Sequence, residues 1–238
     1  EEEAPPRAPG RRARSWRDAR RLRPGSGPTR ARDGNARRPP PDLRVPRRRL
    51  RVALGRRPNC ETLNLAAAGV ETDPRGYIVV DDELRTSVPG TWALGDANGR
   101  GAFTHTSYND HQIVADNLLV GGKRKVSDRL TAYALFTDPP LGRVGMSEAE
   151  VRARGKPALV GVMPMVRVGR ARERGETQGF MKVLIDAQSE KILGAALLCI
   201  EGDEIVHSLL DVMAAGASYK VIQRAVHIHP TVTELIPT

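Results

Sequence analysis

Regular spacing of hydrophobic residues begins only after the first fifty positions of the chain. Residues 1–50 show neither the helical period of about 3.6 residues nor the alternation of a strand. A segment with this pattern cannot bury enough apolar surface to offset its loss of conformational entropy on folding. Residues 1–50 are therefore predicted to be disordered, and ordered patterning starts near residue 51.

Short alternating elements are predicted in the next part of the chain. Residues 63–68 show a helical pattern, whereas residues 77–80 and 91–94 are apolar runs of the kind found in strands. A helix is predicted over residues 113–120, because its apolar positions recur at turn spacing and Gly121 follows them.

A different pattern follows from about residue 127. Two apolar runs, at residues 180–185 and 192–200, are joined by a polar segment, which predicts an antiparallel hairpin. Residues 205–215 predict an amphipathic helix that ends near Gly216. We expect a mixed sheet covered by helices on one side, which is an α+β domain.

Capping residues mark the starts of two further helices. Ser147 and Glu150 have the spacing of a capping box, in which each side chain binds the other residue's backbone N–H group. Ser218 has the residue type of an N-cap and precedes a helix predicted to run through Ala225.

The basic character of the chain lies in its first quarter. Residues 1–57 contain 19 Arg, no Lys and six acidic residues, a net charge of +13, whereas residues 58–238 carry −3. The Arg cluster at residues 44–57 has no interleaved aromatic residues, so nucleic-acid binding is disfavoured. Two origins of residues 1–50 remain open: a basic linker, or an out-of-frame translation that re-enters the true frame near Arg51.

The cysteines and the hydropathy of the chain narrow its class. Cys60 and Cys199 form neither a CxxC nor a CxxxxC pair, and Cys199 lies in an apolar run typical of a buried side chain. No apolar stretch approaches the roughly 18 residues that a membrane span needs, and the N-terminus does not have the pattern of a secretory signal. The sequence therefore predicts a cytoplasmic protein.

Three motifs, at spacings compatible with one another, resemble those of the class I pyridine nucleotide–disulfide oxidoreductases. They are GRRPN at residues 55–59, TSVPGTWALGD at residues 86–96 and HIHPTVTE at residues 227–234. The segment FTHTSYND at residues 103–110 is most similar to the mercuric reductase-like branch, which is related to dihydrolipoamide dehydrogenase.

The resemblance implies an α+β C-terminal dimerisation domain, with an antiparallel sheet and helices, over residues 127–238. Residues 51–126 would be the C-terminal remnant of an α/β FAD- and NAD(P)-binding domain. The implied protein is an FAD-dependent oxidoreductase that uses NAD(P)H and forms a homodimer through residues 127–238.

Several parts of the family pattern are missing from this sequence. The GxGxxG motif that binds the FAD pyrophosphate, the second GxGxxG for NAD(P)H and the redox CxxxxC pair are all absent. The chain is therefore expected to be incomplete and inactive alone. The alternative is a non-catalytic dimerisation module or a remnant of the enzyme.

The first group of candidate site residues follows the strand predicted at residues 91–94. The resemblance implies that Gly95 and Asp96 contact the flavin, with the Asp96 carboxylate accepting a hydrogen bond from a ribityl hydroxyl. The alternative is that Asp96 only caps a helix. Thr104 and His105 would stand at a helix N-terminus that favours negative charge near the flavin.

The second group lies near residue 230. The resemblance implies that His229 is a general acid–base for a thiol of the partner subunit, and that Glu234 binds its other ring nitrogen. The alternative is that Glu234 pairs with Thr231 in a capping box. His227 and His229 alternate on a possible strand, but two ligands are too few for a metal site, and none is predicted.

Overall fold

The computed structural model describes residues 55–238 and, separately, the two-residue strand β1 (Arg20–Arg21). The prediction that residues 1–50 are disordered falls outside the described residues, apart from the two residues of β1. The chain divides into two units, Arg32–Arg129 and Leu130–Thr238, and the second also includes Glu1–Ala31.

In the described part of the first unit, the longest element is the helix α1 (Thr104–Leu119). Its C-terminal half matches the helix predicted at residues 113–120, and Gly121 follows it with φ 69°. The apolar pattern does not indicate its start, because residues 104–110 are polar, but the helix N-terminus that the resemblance implies at Thr104 and His105 is found.

The strands predicted at residues 77–80 and 91–94 do not form. Only isolated bridges join Thr72 to Ile78 and Arg85 to Trp92. The physical reason is local, because aspartate side chains use backbone N–H groups that a ladder would need. Asp73 accepts from the Tyr77 N–H at 2.9 Å, as Asp81 does from that of Arg85 at 2.9 Å.

The remaining elements of this unit are single turns of 3₁₀ helix around a small core. The helical pattern at residues 63–68 becomes two such turns, Glu61–Leu63 and Leu65–Ala68. Two more follow at Gly95–Asn98 and Val126–Asp128. The buried core residues are Cys60, Val70, Ile78, Val80, Leu84, Ala93 and Ile113.

The second unit is built on an antiparallel sheet in the order β1-β4-β5-β6-β3-β2. Its further strands are β2 (Ala132–Leu135), β3 (Leu141–Gly145), β4 (Ala158–Pro164), β5 (Phe180–Asp186) and β6 (Ile192–Leu198). The predicted hairpin is confirmed as β5 and β6. The mixed sheet was wrong, because every described strand pair is antiparallel.

Helices pack on both faces of this sheet. They are α2 (Glu148–Ala153), α3 (Gly169–Glu173), α4 (Gly202–Ala214) and α5 (Lys220–Arg224). The main core, which α4 joins, contains Val183, whereas Val151 of α2 clusters with Leu184. Neighbouring residues of a strand face opposite sides. Helices α2 and α4 therefore lie on opposite faces, and the prediction that helices cover only one side of the sheet was wrong.

The predicted capping residues are found at the helix starts. The Ser147 Oγ atom accepts from the Glu150 N–H at 3.2 Å, and the Ser147 N–H donates to Glu150 Oε2 at 2.6 Å, which confirms the capping box. The Ser218 hydroxyl accepts from the Lys220 N–H at 3.2 Å. Gly216, with φ 63°, follows the end of α4 as predicted.

The core of the second unit draws on residues from far apart in the sequence. Val144, Leu197 and Leu209 are almost fully buried there. Val232 and Ile236 belong to the same core at 5% and 6% exposure. Residues 232–236 therefore pack into the core that the sheet and α4 form. No helix among residues 55–238 is long and apolar enough to cross a membrane.

Candidate functional site

The first candidate group is centred on the turn Gly95–Asn98, and Gly95 is required there. Its φ of 71° lies in the left-handed region, and a Cβ atom at this position would stand 2.7 Å from Ser107 Oγ. Only glycine meets both conditions without strain. The Gly95 N–H donates to Asp110 Oδ2 at 2.8 Å, which fixes the orientation of the Leu94–Gly95 peptide at the start of the turn.

Asp96 presents its carboxylate at the surface of the turn. The side chain is 55% exposed, and Oδ2 pairs with Arg56 Nη1 at 3.1 Å. The same Arg56 nitrogen donates to the Ala102 carbonyl at 3.1 Å. The Asp96 side chain makes no capping hydrogen bond to the turn, so the helix-cap interpretation does not describe this geometry.

A cleft of about 250 Å³ lies beside this carboxylate. Arginine side chains contribute most of its charge. The cleft is lined by Arg56, Arg57, Pro58, Tyr77, Asp96, Gly99, Arg100, Gly101 and Ala102. Because it is polar and cationic, it suits an anionic or hydroxyl-rich ligand.

Thr104 and His105 form the exposed first turn of α1. The His105 ring stacks on that of Phe103, with the ring centroids 5.1 Å apart. The Thr106 hydroxyl accepts from the Phe103 N–H at 3.2 Å and donates to its carbonyl at 2.7 Å, which closes the turn. The first N–H groups of a helix have no intrahelical acceptor, so this end favours an anionic ligand.

Asp110 is a charged residue of this region to which the sequence analysis gave no role. It is 1% exposed and its carboxylate accepts from Gly95, from Asn98 and from Arg129. A signal for it exists in the sequence, because Asp110 precedes the core residue Ile113 by three positions and so shares its helix face. A carboxylate on a buried helix face requires donors.

The second candidate group joins His229 and Glu234. The His229 Nδ1 atom lies 2.7 Å from Glu234 Oε2. The His229 side chain is 79% exposed, whereas that of Glu234 is only 12% exposed. The carboxylate is thus held at the edge of the core, while the imidazole projects outward with Nε2 unbonded to any residue from 55 to 238.

Local contacts hold this pair in place. Glu234 lies on the single 3₁₀ turn Thr233–Leu235, between the buried residues Val232 and Ile236. The Thr231 hydroxyl donates to the Ile228 carbonyl at 2.7 Å and closes the loop that carries His229. Thr231 and Glu234 therefore do not form the capping box that was the alternative interpretation.

The other histidine of the motif takes no part in this pair. His227 Nδ1 lies 3.3 Å from the Ala225 carbonyl, and the segment that holds both histidines is not a strand. Across residues 55–238, no group of three or more metal-ligating side chains comes together. The residues of each candidate group therefore lie within one unit: Gly95 to His105 in the first, and His229 with Glu234 in the second.

Family models match both units. Residues 31–110 match the model described as pyridine nucleotide-disulphide oxidoreductase, and residues 131–238 match the dimerisation domain of the same proteins. Members of the family that both models describe are FAD-dependent oxidoreductases that act on NAD(P)H. The chain belongs to the pyridine nucleotide-disulphide oxidoreductase family.

Two curated relatives illustrate the range of similar proteins. RclA of Escherichia coli (strain K12) is 38% identical over 186 residues, which cover 78% of this chain and 42% of that protein. A dihydrolipoyl dehydrogenase of Cupriavidus necator is 33% identical over 188 residues, which cover 79% of this chain and 40% of that enzyme. The chain thus spans about two fifths of the length of these relatives.

Solved structures show the same architecture. The HOCl-induced flavoprotein disulfide reductase RclA of Escherichia coli matches with a TM-score of 0.72 at 38% identity, over 76% of this chain and 42% of that one. LpdA of Mycobacterium tuberculosis matches with a TM-score of 0.71 at 20% identity, over 76% of this chain and 39% of that one. The second likeness concerns the fold alone.

Proposed function

We propose that this chain supplies the acid–base pair and one wall of the flavin site of an NAD(P)H:acceptor flavoprotein oxidoreductase. The contact between His229 Nδ1 and Glu234 Oε2, 2.7 Å long, carries this proposal. An exposed imidazole oriented by a largely buried carboxylate is the arrangement that general acid–base catalysis requires.

The residues around Asp96 fit a flavin nucleotide. Among residues 55–238, no donor is bonded to Asp96 Oδ1, so this oxygen is available to a ribityl hydroxyl. The exposed first turn of α1, with Thr104 and His105, offers backbone N–H groups to an electron-rich ring edge. When bound, FAD supplies the hydride chemistry that links NAD(P)H to the acceptor.

The role proposed for His229 is to move a proton at Nε2. Glu234 accepts from Nδ1–H, so the lone pair of the neutral imidazole is held on Nε2. From there it would take a proton from a thiol and return it when the thiolate is protonated again. In a homodimer that pairs through residues 127–238, the thiol would belong to the partner subunit.

A non-catalytic role as a dimerisation module is the second candidate. The observation that favours it is the state of the cysteines, because Cys60 and Cys199 are both buried and neither is disulfide-bonded. Neither thiol therefore provides an exposed redox pair. Because the sequence has no GxGxxG motif for the FAD pyrophosphate, we propose that residues 1–238 alone bind little or no flavin, so that their purified solution is colourless.

A chimera tests the catalytic proposal. It joins the part of Escherichia coli RclA outside the match to residues 55–238 of this chain. His229→Gln is expected to lower the turnover number by about 100-fold or more while the flavin content is retained. Glu234→Gln should lower it less, because the tautomer is weakened but the base remains.

His227→Gln is the matched control, since His227 is a partly exposed histidine two positions away whose Nδ1 atom lies 3.3 Å from the Ala225 carbonyl and which takes no part in the pair with Glu234. We expect its turnover to equal that of the parent chimera. Equal loss of turnover in the His227 and His229 variants would contradict the assignment. A flavin-loaded chimera that remains active without His229 would favour the non-catalytic module.

A further inference from the structure

Asp110 is a buried charge that the proposed chemistry does not use. Its side chain is 2% exposed, although it lies on a helix whose neighbouring positions are polar. A carboxylate so far from water is maintained only if donors satisfy both oxygens. The groups that donate hydrogen bonds to Asp110 therefore show which parts of the chain it connects.

The Oδ2 atom of Asp110 holds the turn that carries Asp96. It accepts from the Gly95 N–H at 2.8 Å and from Asn98 Nδ2 at 2.9 Å, so it spans the two ends of the turn Gly95–Asn98. Asn98 also donates to the Ala93 carbonyl at 3.0 Å, which joins the preceding segment to the same point.

The Oδ1 atom of Asp110 is bonded to Arg129 Nη2, at the last residue of the first unit. Arg129 Nε also donates to the Asn109 side chain at 2.8 Å, so the guanidinium spans two consecutive residues of α1. The side chain of Arg129 is only 14% exposed. This ion pair fixes the rotamer of Asp110, which directs Oδ2 at the turn.

We propose that Asp110 is a positioning residue, which fixes the Leu94–Gly95 peptide and the Asn98 side chain at the two ends of the turn, so that the Asp96 carboxylate projects from the turn in a single orientation. The consequence for ligand binding rests on the flavin site proposed above. The positioning itself does not, because the hydrogen bonds are made within the chain. Asp110 would act through Gly95 and Asn98 without touching the ligand.

Hydrogen exchange on the full 238-residue chain tests the positioning. In Asp110→Asn an uncharged amide oxygen and an NH2 group face three donors, so the hydrogen bonds to the turn lose their charge assistance and at least one of the three bonds is lost. We expect residues 93–99 to exchange about tenfold faster or more, with residues 180–198 unchanged. Asp116→Asn is the matched control, since Asp116 lies on the same helix, is 43% exposed and pairs with Arg124. It should leave residues 93–99 unchanged.

Asn98→Ala is the second variant, in case Asp110→Asn unfolds the first unit. It removes a donor to Asp110 and leaves the ion pair with Arg129 intact, so faster exchange should again be confined to residues 93–99. Unchanged exchange there in both variants would overturn the proposal. So would faster exchange across residues 55–129 in both, because Asp110 would then have a general structural role.

Flavin affinity in the RclA chimera separates this inference from the proposed function. We expect Asp110→Asn to raise the dissociation constant for FAD about tenfold, and Asp116→Asn to leave it unchanged. If the parent chimera binds no FAD, the proposed function fails, while the exchange experiment still decides the role of Asp110. If the affinity is unchanged although residues 93–99 exchange faster, Asp110 positions the turn but the turn does not present Asp96 to the flavin, and the consequence for ligand binding is overturned.

Discussion

The two cysteines are buried, and for one of them burial controls reactivity. Cys199 has no exposed surface, and its burial, together with the nearby carboxylates of Asp203 and Glu201, raises the pKa of the thiol to about 12. Since the thiolate is the nucleophile, very little of this residue is reactive near neutral pH.

We therefore predict that iodoacetamide at pH 8 modifies Cys199 at least about 100-fold more slowly in the folded chain than in urea. Mass spectrometry of the peptide that contains Cys199 measures the rate, and the urea-unfolded chain is the control. Equal rates in the two states would show that the thiol is accessible and that the sheet does not enclose it.

For individual residues, the sequence motifs predicted more contacts than the spacing of hydrophobic positions did. The pairing of His229 with Glu234 was expected from the sequence HPTVTE, and the structure brings the two side chains together. Asp110 was quoted in a motif but given no role, because its importance depends on Gly95 and Arg129, which lie 15 and 19 positions away. Such contacts are fixed by tertiary folding and not by spacing.

At the level of elements, the capping box that begins α2 provides a local test. The Ser147 hydroxyl accepts from the Glu150 N–H, and hydrogen bonds from Ser147 hold the pKa of the Glu150 carboxyl below its usual value. A carboxyl with a lowered folded-state pKa contributes stability above its unfolded pKa. That contribution is lost as the pH falls through the folded-state pKa.

We predict that Ser147→Ala lowers the free energy of unfolding by about 1 kcal/mol at pH 7, whereas Ser147→Thr keeps most of it. Glu150→Gln should reduce stability at pH 7 but make no difference in acid, where the parent carboxyl is protonated. Urea denaturation at both pH values measures this. An effect of Glu150→Gln that grows as the pH falls would contradict the assigned sign.

The elements that the sequence predicted well are those whose partners are close in the chain. Strands β5 and β6 pair through a short turn, and their apolar runs identify them. Residues 77–80 have an equally strand-like composition but form a single bridge, because Asp73 and Asp81 engage the neighbouring backbone. Composition favours a strand only where a ladder partner is available.

At the scale of the whole molecule, the exposed apolar surface of the second unit bears on how the chain assembles. Residues 131–238 match a dimerisation domain, and several large apolar side chains of this unit are exposed. Phe136 is 87% exposed, Val226 98% and Ile228 78%. Exposed apolar surface of this kind is typical of protein–protein interfaces.

We predict that the chain is either a dimer or insoluble, because a monomer would leave this apolar surface in water. Sedimentation equilibrium at micromolar concentration measures the mass of the soluble species. A single species near 26.0 kDa, the mass of one chain, would contradict both the dimer and the proposal that His229 acts on a thiol of the partner subunit.

The anchoring of Val232 and Ile236 has a consequence for synthesis. A ribosome makes the chain from its N-terminus, so strands β2 to β6 emerge before two of their core residues have left the exit tunnel. The sheet can begin to pair earlier, but its core is completed only when residue 236 has left the exit tunnel. A message truncated just before this point would therefore yield a protein with an unsealed core, which proteases in the cell would remove.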